Sequence, residues 1–500
     1  MRKFLSGSFI SVLLILSLAF YCSCSKNTDA ENDDKSADNI DAEENSAAET
    51  TTERLTADLP DIDMKGRDFT VLCCTHPFEN YVQRDIFAQE ENGDIINDAV
   101  YRRNRIVEAR LNCVINEYVV PYGGVSAEVS KRVKAGDSGI DAAAVYLNQF
   151  GTLATQNMLI EYGNLPHIDL DKPWWDKNSV ESLSISNKLF ATCSDFLVYD
   201  KRMTMTIVFN KKIIADYGLE DIYTLIKNGE WTLDKMREMT KGIAADLDGN
   251  GKYDDNDRYG VITSNDSFIC FINGGDEYIA KKDENDRPYI TLNSDKAIDV
   301  IDDICDFLFE PSNCLNAQTY APRSSWDSYT GGMALMFEEE KALFANVFMN
   351  DVESLRGMDA DFGIIPPPKY SKEQRQYYSN VNPYVATAII VPQTCPSPEE
   401  SSAALEALSC EGKYLLQPAY YDVCLNTKIA RDEESSEMLD IIFQNRVYDV
   451  GNIYNFAGIS DKLNTMAAGN NRNFTSMYEK SENVTQQAID KIVSSFEEIN

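Results

Sequence analysis

Short apolar runs and amphipathic stretches alternate along most of the chain. FTVLCC (Phe69–Cys74) is an apolar run bounded by polar residues and predicts a buried strand. IINDAVYRRNRIVEARLN follows, with apolar side chains at Ile96, Val100, Val107 and Leu111, close to a helical period. CVINEYVV predicts a second strand, SAEVSKRVKAG a helix with a basic face, and IDAAAVYL a third strand. A second series opens at MTMTIVFN (Met203–Asn210), followed by the helix KKIIADYG, which ends at Gly218. WTLDKMREMTKGIAA predicts another helix, with Thr232 as its N-cap. YGVIT predicts a strand, SDKAIDVIDDICDFLFE a helix, and MALMF and YVATAIIVP two further strands. FGIIPPPK is too proline-rich to be helical. From Pro396 onward the pattern is mostly helical. Strands separated by helices imply an α/β class with mostly parallel sheets and right-handed crossovers.

Before residue 63 the pattern changes. MRK supplies positive charge, FLSGSFISVLLILSLAFY is apolar, and CSCSKN follows at once. That succession resembles a bacterial lipoprotein signal, and the apolar run is marginal for spanning a bilayer core of about 30 Å. Cys24 follows the small Ser23, whereas Cys22 follows the bulky Tyr21, so Cys24 is the expected lipidation site and residues 1–23 the signal. Residues 24–62 are acidic, lack aromatic side chains and show no hydrophobic period, which predicts a disordered tether.

Composition narrows the class. At 500 residues the chain exceeds what one hydrophobic core usually serves. A net charge of −35 repels nucleic acid and anionic membrane, and suits a soluble exported monomer. Ten cysteines lie beyond Cys24, with no CxxC among them and only two histidines, so a zinc site is not expected. Cys305 and Cys314 are the nearest plausible bridge by spacing, and pairing stays open.

One motif carries metal chemistry. DLDGNGKYDDND (Asp246–Asp257) places Asp246, Asp248 and Asn250 at positions 1, 3 and 5 of a twelve-residue loop, with Gly251 at the sharp turn. Lys252 offers its backbone carbonyl at position 7, and Asp254 and Asp257 occupy positions 9 and 12. Hard oxygen ligands at that spacing suit Ca²⁺, which takes about 6–8 of them. Asp257 stands where an EF-hand has Glu. The expected ion is structural, pinning a helix-to-strand turn away from any ligand. A dockerin-type docking role is disfavoured, because this loop is single and internal.

ENGDIINDAVYRRNRIVEARLN, DLDKPWWDKNSV, NGEWTLDKMREMTKG, GGMALMFEE, FGIIPPPKYSKEQRQYY and LSCEGKYLLQPAYYDVCLNTKIARDEESSEMLDII, in that order, resemble the extracellular solute-binding lipoproteins of ABC importers. The likeness is to the sugar-type, type II periplasmic-binding-protein group and covers about residues 65 to 490. It implies two α/β lobes, each a mostly parallel sheet flanked by helices, with ligand held between them and delivered to a membrane permease. Lobe 1 would comprise 63–198 and 383–445, and lobe 2 would comprise 199–382 and 446–500. GGMALMFEE resembles the strand that ends at the cleft, placing Phe337 and Glu338 near its mouth. NPYVATAIIVP resembles the return crossover, placing Asn382 and Tyr384 at the hinge side, and the first crossover adds Ser194 and Asp195.

Sugars are held by aromatic faces and planar polar side chains. Trp231 opens a helix and reads as packing. Trp174 and Trp175 are neighbours, so at most one is expected to meet ligand if the segment is extended. Trp326 sits in a polar loop and is a further candidate. An enzyme is not expected. With 81 acidic residues a carboxylate pair is uninformative, and no nucleophile elbow, P-loop or HExxH occurs. His76 follows the strand VLCC, at a loop position that could line a cleft. The expected function is capture of a carbohydrate at the outer face of the cytoplasmic membrane. The alternatives are a peptide or other polar solute as ligand, or a secreted carbohydrate-active hydrolase.

Overall fold

The structure, a computed structural model, describes residues 54–326, 328–357, 361–425 and 433–499. The expected signal, Cys24 and the expected tether as far as residue 53 lie outside the described residues. The first series contains β1 (Arg67–Cys74), α1 (Ile95–Leu111), β2 (Cys113–Val120), α2 (Val125–Ala135) and β3 (Ala142–Tyr146). Asp94 caps α1 by accepting from the Asn97 amide, and Asn112 ends it in the left-handed region at φ 49°. The chain then crosses to β4 (Met205–Asn210), α3 (Leu233–Thr240), β5 (Tyr259–Thr263), α4 (Ser267–Gly274) and the hairpin β6 (Ala280–Lys282) and β7 (Pro288–Ile290). After these come α5 (Asp295–Leu308), β8 (Cys314–Asn316), α6 (Tyr329–Glu338), β9 (Ala342–Phe348) and β10 (Phe362–Ile365). β11 (Ser379–Asn380) and β12 (Thr387–Ile390) lead back to α7 (Pro398–Leu425), α8 (Glu433–Gln444), β13 (Arg446–Val447) and α9 (Phe474–Glu498).

Two main sheets result, ordered β12-β3-β1-β2 and β10-β4-β9-β5-β8. In the first, β1 runs parallel to β2 and β3, and only the returning β12 is antiparallel. In the second, β5 runs parallel to β8 and β9, and only β4 is reversed, antiparallel to both of its neighbours, β9 and β10. Each sheet has its own buried core, one around Phe69, Leu72 and Val145, the other around Ile207, Val261 and Phe344.

Three segments link the sheets. Thr204 bridges Val381, and β11 pairs with β13. Arg446 is buried here, ion-paired to Asp176 and 3.5 Å from Asp200, and the Tyr448 hydroxyl lies 3.2 and 3.0 Å from the same two carboxylates. A buried charge needs such partners, since removing one leaves the other uncompensated.

Several expectations are corrected. MALMF is helical, within α6: Ser328 caps it by accepting from the Gly331 amide at 3.0 Å, and Met333, Met336 and Phe337 are buried while Leu335 is exposed. The strand is instead the following ALFANVF. Residues 55–62, expected in the tether, lie along the first core: Ala57 is buried, Leu59 and Ile62 pack against it, and Asp58 pairs with Lys172 at 2.7 Å. Helix α8, expected in lobe 1, packs on β10 of the second sheet through Met438 and Leu439. Cys305 and Cys314 are buried free thiols, each pushed up to about 12 by burial. The predicted caps Thr232 and Gly218 are both in place.

Candidate ligand cleft

Parallel strands end on one side of their sheet, and open α/β sheets place ligands just beyond those carboxyl ends. Past β1 lie His76, Phe78 and Tyr81; past β2 lies Tyr122; β3 ends on Tyr146. In the second sheet, β5 leads to Asp266 and β9 to Asn350 and Asp351. The two sets meet: the Tyr81 hydroxyl donates to Asp351 at 2.8 Å, and the Tyr81 and Phe348 rings are 6.3 Å apart. Those contacts define a cleft between the sheets.

Its first-lobe wall is aromatic. The His76 ring stacks on Tyr81 at 5.1 Å and meets Tyr122 edge-on at 4.7 Å, and Tyr122 meets Tyr146 at 5.9 Å. Tyr122 is 48% exposed, so much of its ring is open to a ligand. His76 Nδ1 accepts from the Phe78 amide at 3.1 Å, and burial holds the imidazole below its ordinary value of 6.5, hence neutral at pH 7.

The second-lobe wall is acidic. Asp351 is buried, which pushes its carboxyl up to about 6 against the hydrogen bond from Tyr81. Together with Phe78, Asn80 and Glu338 it lines a pocket of about 220 Å³. A larger cavity of about 800 Å³ adjoins it at Asn80; Arg84 and Arg202 line that cavity, paired with Glu79 and Glu353. Burial holds the phenol of Tyr329, at the start of α6, above its ordinary value, and the charges of Asp266 and Asp351 add to the rise. At the hinge end, a narrow crevice is lined by Asp266, Asn380, Asn382, Tyr384, Asn452 and Asn464. Asn382 Oδ1 accepts from the Tyr384 amide at 2.9 Å, and the Tyr384 hydroxyl donates to Asp461 at 2.8 Å. Burial pushes Asp266 up to about 6, against a hydrogen bond from Asn382.

The structure brings His76, Glu338, Asn382 and Tyr384 to this cleft and takes Phe337, which is core, and the other expected ligand residues elsewhere. Trp174 and Trp175 are 0% and 2% exposed, and neither presents a face to solvent. Both indole N–H groups donate to Glu406, at 3.0 and 2.8 Å. They point one way because the segment turns, with the Trp175 amide bonded to the Lys172 carbonyl, instead of running extended. Asp195 is occupied by Lys201 at 3.2 Å and Lys413 at 3.8 Å, and Ser194 bonds Ser409. Trp326 is half-buried beside Tyr320 and lies over Gly332, where any Cβ would strike its ring. Trp231 is core, as expected, and donates to the Pro366 carbonyl at 3.0 Å. Apart from His76, the sequence reading missed the aromatic and acidic walls: Tyr81, Tyr122, Tyr146, Tyr329, Asp266 and Asp351. Position was their signal, since all but Tyr329 lie at or just past a strand's carboxyl end.

The acidic loop sits between α3 and β5. One carboxylate oxygen each from Asp246, Asp248 and Asp257 lies within 4.8 Å of the others. Gly249 and Gly251 take φ of 71° and 76°, which side chains rarely adopt. Asp246 accepts from the Gly249 and Gly251 amides at 2.7 and 2.8 Å, and those bonds, the Gly251 one foremost, hold its carboxyl below the usual range. Buried Asp257 accepts from the Leu247 and Asp254 amides. Asn250 Oδ1 accepts from the Lys252 amide, and Asp254 accepts from the Asn256 amide. The donor set is all oxygen and fits a hard cation.

No protein-family model matches the sequence, and no curated protein matches it. Solved structures do resemble it. One is an ABC substrate-binding protein from Listeria monocytogenes in complex with cycloalternan, 11% identical, with a TM-score of 0.51 over 86% of this chain and 99% of that one. Another is a cyclo/maltodextrin-binding protein complexed with maltotetraose, 13% identical, with a TM-score of 0.53 over 86% and 96%. A third is an ABC transporter solute-binding protein from Thermotoga lettingae bound with α-D-tagatose, 13% identical, with a TM-score of 0.51 over 85% and 100%. The chain has the two-lobed fold of ABC solute-binding proteins. The three linking segments join the lobes, and the cleft described above lies between them. No helix among the described residues of this solute-binding fold is long and apolar enough to cross a membrane.

Proposed function

We propose that the protein is the extracytoplasmic solute-binding component of an ABC importer and captures a carbohydrate between its lobes. One observation carries the reading: the cleft sets an exposed aromatic ring, Tyr122, in a cluster with His76 and Tyr81, and the Tyr81 hydroxyl meets the Asp351 carboxylate of the opposite lobe. Such a wall covers the C–H face of a sugar ring, while the polar side chains meet its hydroxyls. The similar structures with cycloalternan, maltotetraose and tagatose support that choice of ligand class. The work is equilibrium capture, with no bond made or broken. Ligand contacts to both lobes favour the closed form by differential affinity. A permease then receives the solute. Lipid on Cys24 and the acidic segment after it would hold a monomer at the outer face of the cytoplasmic membrane. The test is a thermal-shift screen against mono- and oligosaccharides, with peptides alongside. A shift from peptides and none from sugars would overturn the carbohydrate assignment.

We also propose that the loop Asp246–Asp257 holds a structural Ca²⁺. Asp246, Asp248, Asn250, Asp254 and Asp257 would supply side-chain oxygens and Lys252 its carbonyl. The convergence of three carboxylates and the two left-handed glycines support this reading.

A further inference from the structure

Two aromatic rings stand exposed in the cleft, one on each side of His76. Tyr122 is 48% exposed and Phe78 44%, and the His76 ring lies 4.7 Å from the first and 5.6 Å from the second. His76 Nδ1 accepts from the Phe78 amide, which fixes the short turn that presents Phe78 and leaves the neutral imidazole its proton on Nε2. Beside Phe78 opens the pocket of about 220 Å³. Phe78 and Asn80 line it from the first lobe; Thr330, Ala334 and Glu338 of α6 line it from the second, with Asp351. Those three α6 residues recur every fourth position and so share one helical face. Glu338 is exposed and has no ion pair among the described residues. No lysine or arginine lines the pocket, and Arg84 and Arg202, in the cavity beyond Asn80, are paired with Glu79 and Glu353.

A water takes about 30 Å³ in the liquid, so this pocket admits a whole sugar ring and not only a hydroxyl. The exposed face of Phe78 can cover the C–H face of such a ring, and Glu338 and Asn80 can accept from its hydroxyls. The steps from Tyr122 to His76 and from His76 to Phe78 are close to the advance from one pyranose to the next along a glycan chain. A single pyranose reaches one platform, and only a longer chain covers both. Charge selects further. A carboxylate on the sugar would be set beside Glu338 and Asp351, and like charges brought together oppose binding.

We propose that the pocket between Phe78 and α6 is a second sugar subsite, and that the ligand is an uncharged oligosaccharide long enough to run from Tyr122 past His76 to Phe78. This rests on the carbohydrate reading above and narrows it in length and in charge. Phe78 is the platform for the far unit, and Glu338 bars anionic sugars from it.

The test is calorimetric titration of the folded protein with glucose, mannose, galactose and xylose, with the linear trisaccharide of each, and with the uronate-bearing form of the trisaccharide that binds. That trisaccharide is expected to bind tighter than its monosaccharide by about tenfold or more. In Phe78→Ala the ratio should fall by about tenfold, the loss of one stacked ring, with the monosaccharide at Tyr122 unaffected. The uronate form should bind wild type more weakly than the neutral trisaccharide by about tenfold or more, and Glu338→Lys should narrow that gap severalfold. Phe78 and Glu338 are both exposed, so neither substitution disturbs the core. A monosaccharide bound as tightly as its trisaccharide, or a length preference unchanged in Phe78→Ala, would overturn the subsite and leave the carbohydrate reading standing. A uronate form bound as tightly as the neutral one would overturn the bar against anions. Binding by none of these sugars would overturn the carbohydrate reading and this proposal with it.

Discussion

Glu406 is a buried carboxylate set among donors, and replacing it with glutamine tests how that site works. Its oxygens accept from Trp174 Nε1 at 3.0 Å, Trp175 Nε1 at 2.8 Å and the Asp169 amide at 3.4 Å. Burial nevertheless pushes the carboxyl from its ordinary 4.5 up to about 7. Such a rise corresponds to about 3 kcal/mol of preference for the protonated form in the folded chain. With the folded value raised, that stability is fully present below pH 4.5 and is lost as pH climbs through 7. In Glu406→Gln an amide –NH₂ must face one indole N–H, leaving a buried donor unpaired at a cost of about 1–3 kcal/mol. The variant should therefore melt several degrees below wild type at pH 5. It carries no titrating group there, so the gap should shift in its favour by about 2.5 kcal/mol between pH 5 and pH 8. Urea titration of both proteins at pH 5, 6, 7 and 8 measures the gap. A difference that stays constant across that range would refute the coupling of Glu406 to stability.

Other expectations follow from the loop, the anchor and the cleft. Chelator should lower the melting temperature, since Ca²⁺ bound only to the folded form at a hundredfold excess over Kd adds about 2.7 kcal/mol; Asp246→Ala should be insensitive to chelator, and an unchanged melting temperature in wild type would contradict the calcium reading. Cys24→Ala should release the protein to the medium or leave the precursor unprocessed, measured by fractionation and mass; the same outcome from Cys22→Ala alone would identify the other cysteine. Tyr81→Phe removes the hydroxyl that joins the lobes through Asp351. It should raise the radius of gyration of the ligand-free protein in small-angle scattering and weaken ligand binding severalfold; an unchanged radius would show that the contact does not hold the lobes together.

The alternation of strands and helices was legible because each element buries one face, and the caps at Thr232 and Gly218 could be read directly. MALMF was misread because a short apolar run does not by itself distinguish a strand from a helix. The exposed Leu335 between buried Met333 and Met336 shows the helical spacing, and the Ser328 cap sits where the helix begins. The tether's end was misplaced because Ala57, Leu59 and Ile62 are too sparse to register as a strand, yet suffice to dock an extended segment. The tryptophans misled for a physical reason. They were the chain's rarest large aromatics and so drew the ligand assignment, but an indole N–H can be buried when a carboxylate such as Glu406 receives it. The cleft itself is made of tyrosine, histidine and aspartate, types common enough in this chain that only their place beyond strand ends distinguishes them.

The central claim is that a sugar binds between the lobes against Tyr122, and the most direct test is a thermal-shift screen of mono- and oligosaccharides run in parallel on wild type and Tyr122→Ala. At least one sugar should raise the wild-type melting temperature in a concentration-dependent way, as expected for a ligand bound only to the folded form, and that sugar should lose most of its effect on the variant. A screen in which no sugar shifts wild type, or in which the variant responds as strongly as wild type, would contradict the account.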